Sequence, residues 1–477
     1  MRFLNQENIL VFFWLCTLMS VNSVYAYTLQ IEHINFFLSS FTIKKTIPIF
    51  NLIRFYIPFV LTPVLIVIFL TNRIKKPENI IILFITYYLW QLFSLFLSDR
   101  FLEIPNIELS AFGKKYSSNV SSTWDSLQLT SCAINLLLII YISKNLYLEK
   151  FNEKILIVTI VFIGFISIYF TYYLIVESIQ NDLKFVYGTS TLNPIEKSFE
   201  QANPRITGIS RMILIYYFLI FSYLLKKNNK IILYILAILT VVLIYKMQAR
   251  GALVGVMLSI ILFFFLSPVI FKKKLKLFLL VIIFPIIIFE SYYLIKQNIN
   301  YKDKAQQQLD NLNPNNRVIG LGADSSGRLT IWKNIFFIIK EKKITLGYGP
   351  QADRALLLDF KNKYEKSGIA IDKDGNRFAY DNNASNAFLY AYLCGGIMGL
   401  ALIILIYIIT INILIKKIFL ENLFFNGHPL QIFSAVLLIY LCFRGLFENS
   451  ISLFGIDFIF FILAFGMINK TYLAKQI

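Results

Sequence analysis

The sequence predicts an all-α polytopic membrane protein of about twelve transmembrane helices, with one large outer loop between spans nine and ten. Three observations predict it. Hydrophobic residues make up 57% of the 477-residue chain against 15% charged, and the mean hydropathy is +0.65, too apolar for an ordinary soluble protein. Apolar windows of the length that crosses about 30 Å of hydrocarbon recur along the chain. A single hydrophilic interval, 296–384, interrupts them and is too short to carry a core of its own. The chain therefore reads as one integral membrane domain, 1–477, with the loop 296–384 mounted on it.

The windows fall near 9–26, 52–71, 79–97, 126–143, 155–176, 209–225, 231–247, 251–268, 277–295, 386–415, 430–446 and 450–468. The first resembles a signal peptide, but Asn22-Ser23-Val24-Tyr25-Ala26 contains no clear small-x-small cleavage site and predicts a retained helix. Twelve spans put both termini on one side. Lys75, Lys76, Lys150, Lys226, Lys227, Lys272, Lys273, Lys416, Lys417 and Lys470 lie in alternate loops or at the C-terminus, and the positive-inside rule makes that side cytoplasmic. The loop 296–384 then lies on the outer side.

The net charge of +19 resides largely in these cytoplasmic anchors. No basic face interleaved with aromatics is left for a nucleic acid. Cys16, Cys132, Cys394 and Cys442 all lie in apolar spans without metal-ligand spacing, and His33 and His428 are the only histidines. There is no P-loop, dinucleotide fingerprint or zinc motif, so no cofactor or metal is expected.

Five arginines depart from the inside bias. Arg205 and Arg211 flank the outer start of the sixth span, Arg250 sits in a tight outer turn before Gly251, Arg328 lies in the large loop, and Arg444 ends the eleventh span. An arginine at the membrane edge is costly unless it is paired or working. Its planar fork matches phosphate oxygens, so these residues are candidates for binding a diphosphate; the alternative is contact with lipid headgroups.

Within the loop, Ser326-Gly327-Arg328 leads to Trp332 and then to Leu346-Gly347-Tyr348-Gly349-Pro350. Ser325 or Ser326 can cap a helix running from about Arg328 to Lys340, with Trp332, Ile335, Phe336 and Ile339 as its apolar stripe. Trp332 either packs within that stripe or stacks on a sugar ring. At the loop's far edge Ser385-Asn386 opens the tenth span, where Gly396 and Gly399 permit close helix packing.

In their order and spacing these motifs resemble the O-antigen ligase and polymerase family of bacterial envelope glycosyltransferases, membrane proteins of the GT-C type. The resemblance covers most of the chain. It implies an undecaprenyl-pyrophosphate-linked glycan as donor, transferred without nucleotide or metal to an acceptor sugar, either lipid A core or the next lipid-linked repeat unit. It also implies that Arg250 and Arg328 bind the donor pyrophosphate and that Asn386 is the Asn of the family's His-Asn pair. Ser385 stands where ligases carry the histidine held to activate the acceptor. A serine cannot act as a base unaided near neutral pH, which tilts the reading from ligase toward polymerase.

If a base is needed, Asp381 and Glu448 are the candidates. Asp381 also suits a loop or helix cap, and Glu448, four residues after Arg444, also suits an ion pair that orients that arginine. The rival classes are a flippase for lipid-linked oligosaccharide and a scaffold without chemistry. Against a transporter stand the lack of a detectable repeat between halves and the concentration of polar residues in one outer loop. A scaffold leaves the outer arginines unexplained.

Overall fold

The computed structural model describes residues 79–98, 206–226, 250–267, 328–353, 355–357, 360, 384–453 and 456–469, together with Pro63, Val67 and Ile134. Every regular element among them is helical: α1 (Asn79–Leu97), α2 (Ile206–Lys226), α3 (Arg250–Leu266), α4 (Arg328–Lys342), α5 (Ala387–Ile415), a π-helical turn (Lys416–Leu420), α6 (Leu423–Asn426), α7 (Pro429–Gly445) and α8 (Ile456–Asn469). Six of the twelve expected windows meet a helix here. The windows 9–26, 52–71, 126–143, 155–176, 231–247 and 277–295 lie wholly or almost wholly outside the described residues.

Asn79–Leu97 and the continuous stretch Ala387–Leu420 are long and apolar enough to cross a membrane, and shorter apolar helices occupy Ile213–Lys226, Val254–Leu266, Pro429–Gly445 and Phe460–Asn469. Local sequence explains where several begin. The α5 N-cap is Asn386, whose side-chain oxygen accepts from the N–H groups of Phe388 and Leu389, both at 2.9 Å. At α7, Pro429 takes the first helical position, where a missing N–H costs nothing. His428 and Gln431 cap it reciprocally: the Gln431 side chain accepts from the His428 N–H at 2.9 Å, and His428 Nδ1 accepts from the Leu430 N–H at 3.4 Å.

The chain divides into two compact units. The first contains α1, α4, most of α5 and the turn that follows α7. Its core gathers Ile331, Ile335, Ile338, Ile344, Leu356, Tyr390, Leu393 and Cys394, and Phe84 of α1 meets Phe458 and Phe461 edge-on at 5.1 and 5.7 Å. The second contains α2, α3, the π turn, α6 and most of α7. Aromatic contacts dominate it: Phe221 on Phe264 at 6.0 Å, Phe218 on Tyr440 at 5.6 Å, and Phe424 against both Phe263 and Phe264.

Two expectations shift. The helix over 328–342 buries Ile331, Ile335 and Ile338, with Trp332 and Ile339 only partly covered. Phe336 lies 61% exposed on its far side. Spacing alone allows two adjacent stripes, and the core chooses the one that meets Ile344, Leu356 and Tyr390. The last span begins as a helix at Ile456, not at 450, although Ile451 and Ser452 are buried. Residues 446–453 form a turn instead, because their polar groups bond elsewhere: the Tyr87 hydroxyl donates to the Ser452 carbonyl at 3.2 Å, and the Leu446 carbonyl accepts from Asn386.

Candidate functional site

The first unit is organised around a break in α5. Gly396 has φ 60° and ψ −151°, a conformation open essentially only to glycine, so the i to i−4 ladder is interrupted there. In a membrane span such freed groups need partners from elsewhere. The motif loop supplies them. The N–H groups of Tyr348 and Gly349 donate to the carbonyls of Leu393 and Cys394, both at 2.9 Å, and the Ile397 N–H donates to the Thr345 carbonyl at 3.0 Å. From α1, Trp90 Nε1 donates to the Gly395 carbonyl at 2.7 Å, and the Ser94 hydroxyl donates to the Leu346 carbonyl at 2.8 Å.

Close approach explains the glycines of this motif. A Cβ on Gly347 would meet the Cys394 carbonyl oxygen at 2.5 Å, one on Gly349 would meet Leu95 at 2.5 Å, and one on Gly396 would overlap the Thr345 carbonyl. Gly347 and Gly349 also hold positive φ, 86° and 83°. The glycines read from the sequence as turns and packing residues together form one joint between loop and broken helix.

At the N-terminal end of α5, the helix entry forms a polar corner. Ser385 is 3% exposed and adopts φ 46°, an uncommon left-handed conformation for a residue with a side chain. On either side its neighbours are bonded. The Ala384 carbonyl accepts from Trp332 Nε1 at 3.2 Å and the Ala384 N–H donates to Asp353 Oδ2 at 2.8 Å. The Asn386 N–H donates to Asn449 Oδ1 at 3.1 Å, Asn386 Nδ2 donates to the Leu446 carbonyl at 2.9 Å, and Asn449 Nδ2 donates to Asp353 Oδ2 at 3.0 Å. Trp332 lies over Phe447, their ring centroids 6.4 Å apart and their planes 29° from parallel.

The structure thus gathers Trp332, Ser385, Asn386 and the turn that carries Glu448. Arg444, at the end of α7, belongs to the same unit; its Nε donates to Asp457 Oδ2 at 3.0 Å, an ion pair whose side chains are 16% and 4% exposed. Arg250 and Arg328 are the first residues of α3 and α4. Arg211 lies inside α2 rather than before it, and with Arg250 it belongs to the second unit. Arg205 and Asp381 lie outside the described residues.

Four bonding partners of the site had no motif to announce them: Trp90, Ser94, Asp353 and Asn449. Asp353 is an acid within Gln351-Ala352-Asp353, two residues of which are otherwise unremarkable, and Asn449 stands beside the more conspicuous Glu448. Asp353 is 1% exposed, so its carboxylate is a structural commitment that sequence spacing did not reveal.

Residues 233–404 match the family model for O-antigen ligase. Over this stretch the chain is similar to the O-antigen ligase family. The matched segment runs from before Arg250 through the Ser326-Gly327-Arg328 and Gly347-Tyr348-Gly349 motifs to the break at Gly396. The match and the apolar helices together suggest a membrane protein of O-antigen ligase or polymerase type. No curated protein and no solved structure matches the chain.

Proposed function

We propose that this protein is a glycosyltransferase at the periplasmic face of the bacterial inner membrane. It transfers a glycan from undecaprenyl pyrophosphate to an acceptor sugar, with lipid-linked repeat units favoured over lipid A core as acceptor. The observation that carries this reading is the family match over 233–404, which spans Arg250, Arg328 and the Ser385-Asn386 corner. Ser385 in the place of the ligase histidine favours polymerisation.

The chemistry follows from the donor. An acceptor hydroxyl oxygen attacks the anomeric carbon, the bond from that carbon to the pyrophosphate oxygen breaks, and the lipid pyrophosphate leaves with the electron pair. A pyrophosphate is a good leaving group, so the enzyme's work is to stabilise departing negative charge and to position the acceptor. Neither task calls for a nucleotide or a metal. Arg250 and Arg328 each open a helix, where the unpaired N–H groups of the first turn add to the attraction for an anion. Arg205, Arg211 and Arg444 are further contacts for the phosphates, and Trp332 and Glu448 border the acceptor side. The hydroxyl proton passes to Asp381 or Glu448.

The test is polymer formation from purified lipid-linked repeat units by the detergent-solubilised protein, without added nucleotide or divalent metal. Wild type should extend the chain, and Arg250→Ala should lower the rate about 100-fold to 1,000-fold, the usual loss for one preorganised donor to developing charge. Arg250→Lys should not rescue it, because a point charge lacks the two-pronged phosphate geometry. Full activity in both variants at normal abundance would make Arg250 an anchor. Absence of turnover in wild type from any plausible donor would favour a flippase. In a deletion strain, core carrying a single repeat unit marks a polymerase, whereas polymer accumulating on the carrier lipid marks a ligase.

A further inference from the structure

Asp353 is the acid that the site's geometry singles out and that no motif names. It follows the Gly347-Tyr348-Gly349-Pro350 segment, is 1% exposed, and places one oxygen, Oδ2, between two donors: the Ala384 N–H at 2.8 Å and Asn449 Nδ2 at 3.0 Å. Asn449 in turn accepts from the Asn386 N–H at 3.1 Å. The backbone amides on both sides of Ser385 are therefore tied to one carboxylate, one directly and the other through a single side chain.

The residue so flanked is itself strained. Ser385 holds φ 46° between them, a state that a non-glycine residue keeps only where its surroundings over-determine it. The Asn386 side chain contributes from the helix side by capping α5 and bonding Leu446, and Trp332 contributes from α4 through the Ala384 carbonyl. Asp353 connects both flanking amides.

We propose that Asp353 is a positioning residue: its Oδ2 clamps the Ala384 and Asn386 amides and so fixes Ser385 at the entry of α5, the place where the acceptor sugar is activated. The catalytic half of this statement rests on the glycosyltransferase reading above; the clamp itself does not. The role needs an acceptor atom at the Oδ2 position and not a negative charge. An asparagine at 353 can put its amide oxygen there and keep both bonds, in weaker neutral form. An alanine cannot.

The experiment measures hydrogen exchange, resolved to single amides by electron-transfer fragmentation, and glycan transfer on the same full-length variants in detergent. Asp353→Ala should speed exchange at both Ala384 and Asn386 about tenfold or more, the consequence of removing the partner of a buried donor. Asp353→Asn should keep both amides within about threefold of wild type and retain most of the turnover. Asn449→Ala provides the discriminating case, and also serves if Asp353→Ala fails to fold: it should release the Asn386 amide alone, since the Ala384 amide bonds Asp353 directly. General loosening would free both.

Unchanged exchange in Asp353→Ala overturns the clamp, as does equal release of both amides in Asn449→Ala. Loss of turnover in Asp353→Asn with both amides still protected also overturns it, because the carboxylate would then act by its charge. If wild type transfers no glycan, the glycosyltransferase reading fails while the exchange pattern still decides the clamp.

Discussion

The two units of the chain solve the problem of a membrane interior in opposite ways. In the second unit rings meet between helices, Phe221 of α2 on Phe264 of α3, with Tyr440 of α7 against Phe218 and beneath Gly255. Among the described residues α2 and α3 run as unbroken helices, and Lys226 Nζ of α2 donates to the Phe425 carbonyl of α6 at 2.6 Å. In the first unit α5 is interrupted at Gly396, and five bonds from a loop and from α1 hold the joint together. An uninterrupted apolar helix can be recognised from its own residues, whereas a broken one exists only in company. Irregular backbone in a membrane protein is tolerated where it serves a site, and the break and the Ser385 corner share the short segment 384–397.

The contrast can be broken by substitution. Gly396→Ala should have the largest effect. Its backbone conformation costs an alanine about 1–3 kcal/mol, the new methyl group overlaps the Thr345 carbonyl, and the joint's hydrogen bonds are lost with it. Little folded protein should be recovered from membranes, as judged by fluorescence-detected gel filtration. A normal, stable yield would mean that α5 tolerates an unbroken form.

Asp457→Ala follows. Removing one partner of a mostly buried ion pair leaves Arg444 without its carboxylate and costs about 3–5 kcal/mol. Thermal unfolding in detergent should show a clear drop, and Asp457→Glu should recover part of it. A drop no larger than that of an exposed pair, such as Lys417 with Glu421, would remove the pair from the supports of the first unit.

Trp90→Phe sharpens the comparison within the joint itself. The phenyl ring keeps most of the packing and deletes the donor to Gly395, so the expected loss is about 1–3 kcal/mol for an unsatisfied buried carbonyl. Phe221→Leu in the second unit should cost least, under about 1.5 kcal/mol, because a hydrophobic replacement of similar kind can repack. Measured on the same melting assay, a larger loss for Phe221→Leu than for Trp90→Phe would reverse the contrast between polar joint and apolar packing.

Among the described residues the helices were legible because apolar runs are local. The window 79–97 coincides with α1, and 386–415 lies within a residue of α5 at its start. The final window missed by several residues because Ile451, Leu453 and Phe454 extend the apolar run, yet the turn's polar groups are drawn to Tyr87 and Asn386. The site was legible in part. Ser385, Asn386 and Trp332 were named from motifs and do meet, but Asn386 turns out to cap a helix and Trp332 to bond the Ala384 carbonyl and lie over Phe447. Asp353 and Asn449 carried no pattern, since a lone acid and a lone amide acquire meaning only from the donors opposite them.

By itself the sequence determined that this chain is apolar and helical, that Asn386 stands at the opening of a span, and that its motifs resemble those of a ligase and polymerase family. These rest on interactions between residues a few positions apart. The tertiary structure alone decided that Gly347, Gly349 and Gly396 form a single joint, which stripe of α4 is buried, and which carboxylate serves the Ser385 corner. Each of those depends on a group meeting its partner tens to hundreds of residues away, as Trp90 meets Gly395. The sequence shows that such groups exist, and only the fold brings their partners to them.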